Sequence, residues 1–498
     1  MVSQIIDDAV VGNSFEHFRL NTIGNAEYFN TPFGRKPLIY ADWVASGRLY
    51  APIEEIMMNS FGPFVGNTHT ETSVTGTVMT TAYHQARTII KDHVNASETD
   101  CLISFGSGMT SVVNKLQRIL GLRLPEKLIG SFNILKEDRP IVFVTHMEHH
   151  SNHTSWLETI ADVECIDPDI DGNVDINHLE KLLIKYKNRP LKIASVTACS
   201  NVTGIFTPYH SIAGIMHKNG GLCFVDFACS APYVSIDMHP ENKDENLDAI
   251  FFSPHKFLGG PGTPGILIFA SHLDTNKIPD NPGGGTVKWT NPWHEHSYID
   301  NIEDREDGGT PPFLQTIRAA LCIKLKDKMG SAKILAREHT MIESTFKRME
   351  KINGLYILAG NVKDRLGVIS FYIEGLHFNL GVKLLNDHFG IQVRGGCSCA
   401  GTYGHYLLNV SQAYSKEITS EIEKGNLTTK PGWIRLSLHP TMNDEMLDYI
   451  LSGIEDLAIN HVEWGKEYTY QPEINEFKHN TFEPVETSIV DNWFNSPL

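Results

Sequence analysis

Residues 247–269, "LDAIFFSPHKFLGGPGTPGILIF", set two short apolar runs on either side of a lysine and a stretch rich in glycine and proline. "AIFFS" (249–253) and "GILIF" (265–269) lack strict polar alternation, so each reads as a strand buried on both faces. Lys256 follows the first strand directly and is preceded by Ser253 and His255. A surface lysine needs no such setting. A Schiff-base lysine does: it belongs at a strand end, in a restricted site whose neighbours lower its pKa.

Outward from this stretch the same texture repeats. Further strands are expected at "CLISF" (101–105), "PIVFVTH" (140–146), "LKIASVT" (191–197) and "LCFVDF" (222–227). Between them "DINHLEKLLIKYKN" (175–188) and "YHSIAGIMHKNGG" (209–221) carry helical periodicity. Strands linked by helices imply an α/β fold with a mostly parallel sheet, and catalytic groups at the carboxyl ends of its strands. After Gly309-Thr310-Pro311 the pattern changes. A long helical stretch (315–352) leads to a strand "VISFYI", a helix near "NLGVKLLNDHFG", a strand "WIRLSL" and a last helix, which suits a smaller α+β domain. The expected division is a large domain at 45–315, a small domain from 1–44 and 316–465, and a carboxyl-terminal extension at 466–498 without periodicity, extended or partly loose.

The 498 residues allow a full-sized core, and a hydrophobic fraction of 41% with 20% charged residues is ordinary for a soluble globular protein. A formal net charge of −17 argues against nucleic acid or an anionic membrane as the main partner. The amino terminus has no basic region and is interrupted by Asp7 and Asp8, so no signal peptide is expected. No run approaches a membrane span. Eight cysteines, mostly inside apolar runs, read as reduced residues of a cytoplasmic protein.

Asp226 ends the strand thirty positions before Lys256. An acid that pairs with a pyridinium nitrogen and a lysine that attaches the ring are the parts pyridoxal 5'-phosphate (PLP) requires. Taken singly, each residue is equally compatible with a strand end or loop of no shared role. "CLISFGSGMTSVVNKLQRIL" adds a strand, Gly106-Ser107-Gly108-Met109-Thr110 and a helix start, where exposed amides and the Thr110 hydroxyl suit a phosphate. "THMEHHSNHTSWLE" (145–158) crowds histidines after the next strand, and one imidazole suits ring stacking and proton transfer. His149, His150 and His153 also raise zinc, but their spacing and the distant cysteines argue for no metal. Asn201 follows a further strand and suits a ring oxygen or a carboxylate; an Asx turn is the plain alternative.

Together these motifs resemble the fold-type I PLP-dependent transferases, in the class V aminotransferase and cysteine desulfurase superfamily. The resemblance runs from "IYADWVASGRLYAPIEEIM" (39–57), similar to the family's opening strand, to "GWIRLSLHPTMNDEMLDYI" (432–450). Its serial motifs are the phosphate loop, E-H-H, S-N-x-x-G, V-D-x-A, S-x-H-K and G-T-P. The resemblance implies a large domain with a mostly parallel sheet of seven-stranded type, flanked by helices. It makes Lys256 the residue that attaches the cofactor and moves the α-proton, Asp226 the partner of the pyridine nitrogen, and His149 the stacking residue, with His150 the second choice. Gly108, Met109, Thr110, Ser253 and His255 would hold the phosphate, and Ala228 would lie against the cofactor. Thr310 would reach the phosphate of a partner subunit, implying a homodimer. Asn201 and Arg435 would hold the substrate carboxylate, with Arg394 nearby.

"VRGGCSCAGTYGH" (393–405) decides within the superfamily. Aligned on Arg394 it resembles the loop of group II cysteine desulfurases, with Cys399 as nucleophile, and also the two-cysteine pattern of molybdenum-cofactor sulfurases. An accessible loop beside a cation, with glycines that let it move, suits a reactive thiol. The reaction implied removes sulfur from L-cysteine, or selenium from selenocysteine, to give alanine and a persulfide on Cys399, which passes to a protein or small-molecule acceptor. An aminotransferase, epimerase or C–S lyase on another amino acid is the alternative, and a non-catalytic scaffold a third reading. Cys397 is open: relay, resolving thiol or bystander. Three departures stand out: Cys229 where desulfurases often have glutamine, Met109 where threonine is usual, and Pro254 before His255. Extra length at 122–139 and 286–301, and the extension, carry no assigned role.

Overall fold

The computed structural model describes residues 14–68, 70–131, 134–428, 430–483 and 486–497. The reading of the amino terminus falls largely on residues 1–13, outside the described residues. The central sheet has seven strands, numbered here in chain order: β1 (Asp100–Phe105), β2 (Ile141–Thr145), β3 (Asp162–Ile166), β4 (Lys192–Thr197), β5 (Leu222–Asp226), β6 (Ala249–Phe252) and β7 (Gly265–Ala270). Their order across the sheet is β1-β7-β6-β5-β4-β2-β3. Strands β2 to β6 pair in parallel, while β7 runs antiparallel to both β6 and β1.

The reversal of β7 has a local cause. A parallel partner needs a crossover of about a dozen residues or more, usually a helix. Residues 253–264, "SPHKFLGGPGTP", contain three prolines and three glycines and cannot form one. The chain therefore turns straight back along β6, and Lys256 is held in the turn.

The strands expected from sequence lie within a residue of their positions. β3, "DVECI", was not among them. It is a half-buried edge strand with acidic residues at its first and third positions, so it shows no continuous apolar run. Strands β2, β4 and β6 are buried throughout. Each fully buried Val, Ile or Phe there contributes about 1.5–3 kcal/mol.

A second, antiparallel sheet joins Leu355–Ile357, Val368–Ile373, Trp433–Ser437 and Arg394–Gly396, with helices Phe378–Phe389 and Asp444–Trp464 nearby. The expected long helix is two, Phe313–Met329 and Ser331–Met349, broken at Gly330 with φ +82. The opening segment forms only a two-residue strand, Ile39–Tyr40, parallel to Ile391–Gln392. No helix among the described residues is long and apolar enough to cross a membrane.

The extension is more ordered than its sequence suggests. Tyr468–Gln471 and Glu476–His479 pair as a hairpin, and Tyr468 donates to Asp387 Oδ2 at 2.8 Å. His388 beside it is stacked between Phe33 and Trp464, with ring centroids at 3.7 and 4.0 Å. Four-residue strands are too short for their alternation to be read from sequence. The insertion at 286–301 also holds a hairpin, Val287–Thr290 with His296–Tyr298.

Candidate active site

The carboxyl ends of β1, β2, β4, β5 and β6 face one cavity of about 330 Å3. It is lined by Gly108, Met109, Thr110, His149, Asn201, Asp226, Ala228, Ser253, His255, Lys256, Arg394, Cys399 and Arg435. Sequence positions almost 330 apart thus meet because neighbouring strands end at one edge. Thr310 is exposed and lies off this cavity.

One end of the cavity is built of small groups and hydroxyls. β1 ends at Phe105, and Gly106 turns the chain with φ +60, where a Cβ would sit 2.3 Å from Ser111 Cβ. Helix α1 (Met109–Ile119) then starts with its amides toward this end. The Met109 amide donates to Ser253 Oγ at 2.8 Å, and Thr110 Oγ1 shares a hydrogen bond with Ser151 Oγ at 2.6 Å. A Cβ on Gly108 would meet Ser253 Oγ at 3.2 Å and His255 Nε2 at 3.5 Å, so the glycine keeps a cradle open between them. Burial, reinforced by Lys256, lowers the His255 pKa to about 4. Helix amides, hydroxyls and a neutral imidazole are a donor set that suits a phosphate.

Asp226 is the last residue of β5. Its Oδ1 accepts from the Ala228 amide at 2.8 Å, and burial raises its pKa to about 6 against that bond and the Lys256 charge. A buried acid without an ion pair is stable as an anion only when a cation faces it. Lys256 stands in a short turn, Pro254–Lys256, that Gly47 and Ser46 hold from outside: the Gly47 amide donates to the His255 carbonyl at 2.9 Å. Burial lowers the Lys256 pKa, opposed by Cys229 and Asp226. An amine biased to its neutral form is a nucleophile. The pairing expected of an acid at a pyridine nitrogen and an attaching lysine thus fits the two side chains present.

His149 caps helix α2 (His150–Leu157), and its Nδ1 accepts from the Ser151 amide at 3.1 Å. That bond assigns the ring proton of the neutral form to Nε2. Burial, then Lys256, lowers its pKa to about 3. Beneath it, the buried Glu148 accepts from the Thr145 hydroxyl (2.7 Å), the Thr197 amide (2.8 Å) and Asn152 Nδ2 (2.7 Å), tying α2 to β2 and β4. His150 and His153 do not join His149. His150 Nε2 accepts from the Gly401 amide at 2.9 Å, and His153 Nδ1 meets the Thr402 hydroxyl at 3.2 Å.

Arg394 and Arg435 are directly opposite each other across antiparallel strands. Like charges in that position repel. Asp42 separates them: Arg435 Nη2 donates to Oδ1 at 2.7 Å and Arg394 Nε to Oδ2 at 2.9 Å. Arg435 Nη1 also donates to the Asn201 carbonyl at 3.2 Å. Arg435 Nε and Asn201 Oδ1 are buried with no partner among the described residues. The unused Arg435 Nε is a donor that suits a carboxylate ligand here, whereas the Asn201 oxygen is an acceptor and calls for a donor. Sequence reasoning missed Asp42, which it saw only as part of an opening strand. An acid just after a strand is too common a signal to single it out.

The cysteine loop resolves its two thiols. Ser398 and Cys399 both adopt left-handed backbone, at φ +51 and +56, which costs non-glycine residues about 1–2 kcal/mol each. Three bonds hold them there. Asn201 Nδ2 donates to the Ser398 carbonyl at 2.7 Å, the His150 amide to the Cys399 carbonyl at 2.7 Å, and Trp433 Nε1 to Ser398 Oγ at 3.2 Å. Cys399 is exposed and lines the cavity, while Cys397 is half-buried against the core and off it. The Asx turn weighed for Asn201 is made instead by Ser200, whose Oγ accepts the Val202 and Thr203 amides at 3.1 and 3.2 Å. That leaves the Asn201 side chain free to reach the loop.

A mostly parallel sheet that brings a buried lysine, an acid and a hydroxyl-lined helix start to one edge has the architecture of the fold-type I PLP-dependent enzymes. The chain belongs to the class V aminotransferase family, whose model matches residues 39–450. It is 28% identical over 372 residues to a probable cysteine desulfurase of Halalkalibacterium halodurans, covering 73% of this chain and 84% of that one. It is 25% identical over 369 residues to a cysteine desulfurase of Haloferax volcanii, covering 73% and 81%. Among solved structures, the apo cysteine desulfurase of Thermococcus onnurineus aligns with a TM-score of 0.70 at 22% identity, over 92% of this chain and 100% of that one. The cysteine desulfurase CsdA of Escherichia coli aligns at 0.67 and 19%, with the same coverage.

Proposed function

We propose that this protein is a PLP-dependent cysteine desulfurase that takes sulfur from L-cysteine, or selenium from selenocysteine, onto Cys399 and leaves alanine. The observation that carries the reading is the placement of Cys399, alone of the two loop cysteines, on the cavity that also holds Lys256 and Asp226. PLP, when bound, supplies the electron sink that labilises bonds at the substrate's α- and β-carbons.

The chain's own groups divide the remaining work. Gly108, Met109, Thr110, Ser253 and His255 hold the phosphate. When PLP is bound, Asp226 would pair the pyridine nitrogen, Ala228 would lie against the ring, and His149 would stack on it. Lys256 Nζ attaches the cofactor and then carries the proton at the substrate α-carbon. Arg435 and Asn201 orient the substrate carboxylate, and Asp42 keeps the Arg435 fork aimed. Cys399 Sγ takes the sulfur, and its exposure favours handing that sulfur to an acceptor. The exposed position of Thr310 fits a role at the site of a second copy, and we assign a homodimer on that basis. We place the protein in the cytoplasm.

The test is mass spectrometry of the 393–405 peptide after incubation of the PLP-loaded protein with L-cysteine. With L-cysteine in excess over the protein's own thiols, the expected result is an added sulfur on Cys399 with alanine released. Cys399→Ala is expected to abolish sulfur release while Cys397→Ala retains it. Full desulfuration by Cys399→Ala refutes the persulfide role.

A further inference from the structure

Cys399 is not the only thiol on this cavity. Cys199 and Cys229 also line it, although both are buried. They follow adjacent parallel strands, just past Thr197 of β4 and Asp226 of β5, which are register partners. Their sulfurs converge on one acceptor: Cys229 Sγ lies 3.6 Å and Cys199 Sγ 3.8 Å from the Ser200 carbonyl oxygen. Cys199 Sγ also lies 3.1 Å from the Gly204 carbonyl. Adjacent strands are about 4.8 Å apart. The two thiols are in contact with each other, and a disulfide between them spans a Cα separation of roughly 4.4–6.8 Å.

The two thiols are also electrically unequal. Burial, then the contact with Cys229, pushes the Cys199 thiol up. The contact with Cys199 outweighs burial at Cys229 and, helped by Lys256, holds that thiol below its usual range. A core pair needs no cavity face. Cys101, Cys223 and Cys322 are buried without lining the cavity, and burial pushes each of their thiols up.

We propose that Cys229 and Cys199 form a dithiol that receives the sulfur from Cys399 and releases it as sulfide inside the cavity. The proposal rests on the desulfurase reading above. First, the Cys229 thiolate attacks the terminal sulfur of the Cys399 persulfide. A new S–S bond forms at Cys229, and the Cys399 S–S bond breaks, returning Cys399 as a thiolate. Next, Cys199 attacks Cys229 Sγ, its proton passing to the departing hydrosulfide. The Cys199–Cys229 disulfide forms and hydrosulfide leaves with the bonding pair. In sum, one persulfide and two thiols become one thiol, one disulfide and one hydrogen sulfide. The dithiol is oxidised by two electrons and the transferred sulfur is reduced by two. An external low-molecular-weight thiol then restores the dithiol for the next cycle.

The chemistry follows ordinary thiol–disulfide exchange. It separates two fates of the same sulfur. A persulfide on the exposed loop leaves with an acceptor, whereas one that meets the dithiol leaves as sulfide.

The test is a single turnover of the PLP-loaded protein with one equivalent of L-cysteine and no added reductant. Alanine, sulfide and the thiol state of each cysteine are read by mass spectrometry after alkylation. The expected result is alanine with about one sulfide per site, a Cys199–Cys229 link and free Cys399. Cys229→Ser is expected to leave the extra sulfur on Cys399, and Cys199→Ser to leave it on Cys229. In both, sulfide falls at least about tenfold. Alanine with the sulfur kept on Cys399 and both buried thiols still alkylatable overturns the proposal while leaving the desulfurase reading intact. So does sulfide release at the native level by either variant. Absence of alanine defeats the desulfurase reading itself, and this proposal with it.

Discussion

Asp226→Asn should make the cofactor-free protein more stable above neutral pH while destroying its activity. Burial raises the pKa of the unaltered carboxyl from its ordinary 3.8 to about 6. The folded state therefore holds this proton more tightly than the unfolded chain. Its contribution to stability is fully present below the unfolded pKa and is lost as pH rises from about 4 through about 6. The difference between 3.8 and about 6, at 1.36 kcal/mol per pH unit, amounts to about 3 kcal/mol of folded-state cost once the group is ionised. Asparagine keeps the oxygen that accepts from the Ala228 amide at 2.8 Å and carries no charge.

The assay is thermal unfolding of the cofactor-free native protein and variant across that range. Unfolding entropy of about 2.1 cal/mol/K per residue makes about 1 kcal/mol/K for a chain of this length, so the variant should melt about 3 °C higher near pH 8. Near pH 4 the two should coincide, because both then carry a neutral group. Other groups titrate in the same window, but the difference between the two curves isolates this one. PLP should close the gap, since a pyridinium cation facing Asp226 offsets the cost that asparagine avoids. A difference independent of pH, or a variant less stable than the native protein at high pH, refutes the reasoning.

Asp42→Asn removes the charge between Arg394 and Arg435 but keeps an acceptor. The loss of about 1–2 kcal/mol per charge-assisted bond should raise KM for cysteine roughly tenfold with a smaller change in kcat, measured in steady state. Gly108→Ala places a methyl 3.2 Å from Ser253 Oγ in the phosphate cradle. It should weaken PLP binding at least about tenfold by absorbance titration, without change in circular dichroism, because φ there is extended. Asn201→Ala removes the donor to the Ser398 carbonyl, a bond worth about 1 kcal/mol, so the strained loop should open more often and Cys399 alkylate several-fold faster. An unchanged alkylation rate would show that the His150 and Trp433 bonds hold the turn alone.

What was legible in the chain was what is encoded over short stretches. Six of the seven central strands, the glycine turn into α1, Asp226 at a strand end and Lys256 in a turn that no helix can span each follow from residues that touch in sequence. β3 escaped because a half-buried edge leaves no continuous apolar run, and the terminal hairpin because four-residue strands are shorter than any readable period.

Only tertiary structure decided relations across long separations. Asp42 meets Arg394 and Arg435 from 352 and 393 residues away. Asn201 and His150 clamp a loop that lies 197 and 251 residues beyond them. That clamp sets two left-handed residues, which turn Cys399 to the cavity and leave Cys397 against the core. The pairing of Cys199 with Cys229 likewise needs β4 and β5 to be neighbours. The sequence by itself determined which chemical groups stand at strand ends, because strand and turn propensity act locally. Which of those groups face one another depended on how the strands, loops and second sheet pack, because no local pattern records a contact made hundreds of residues away.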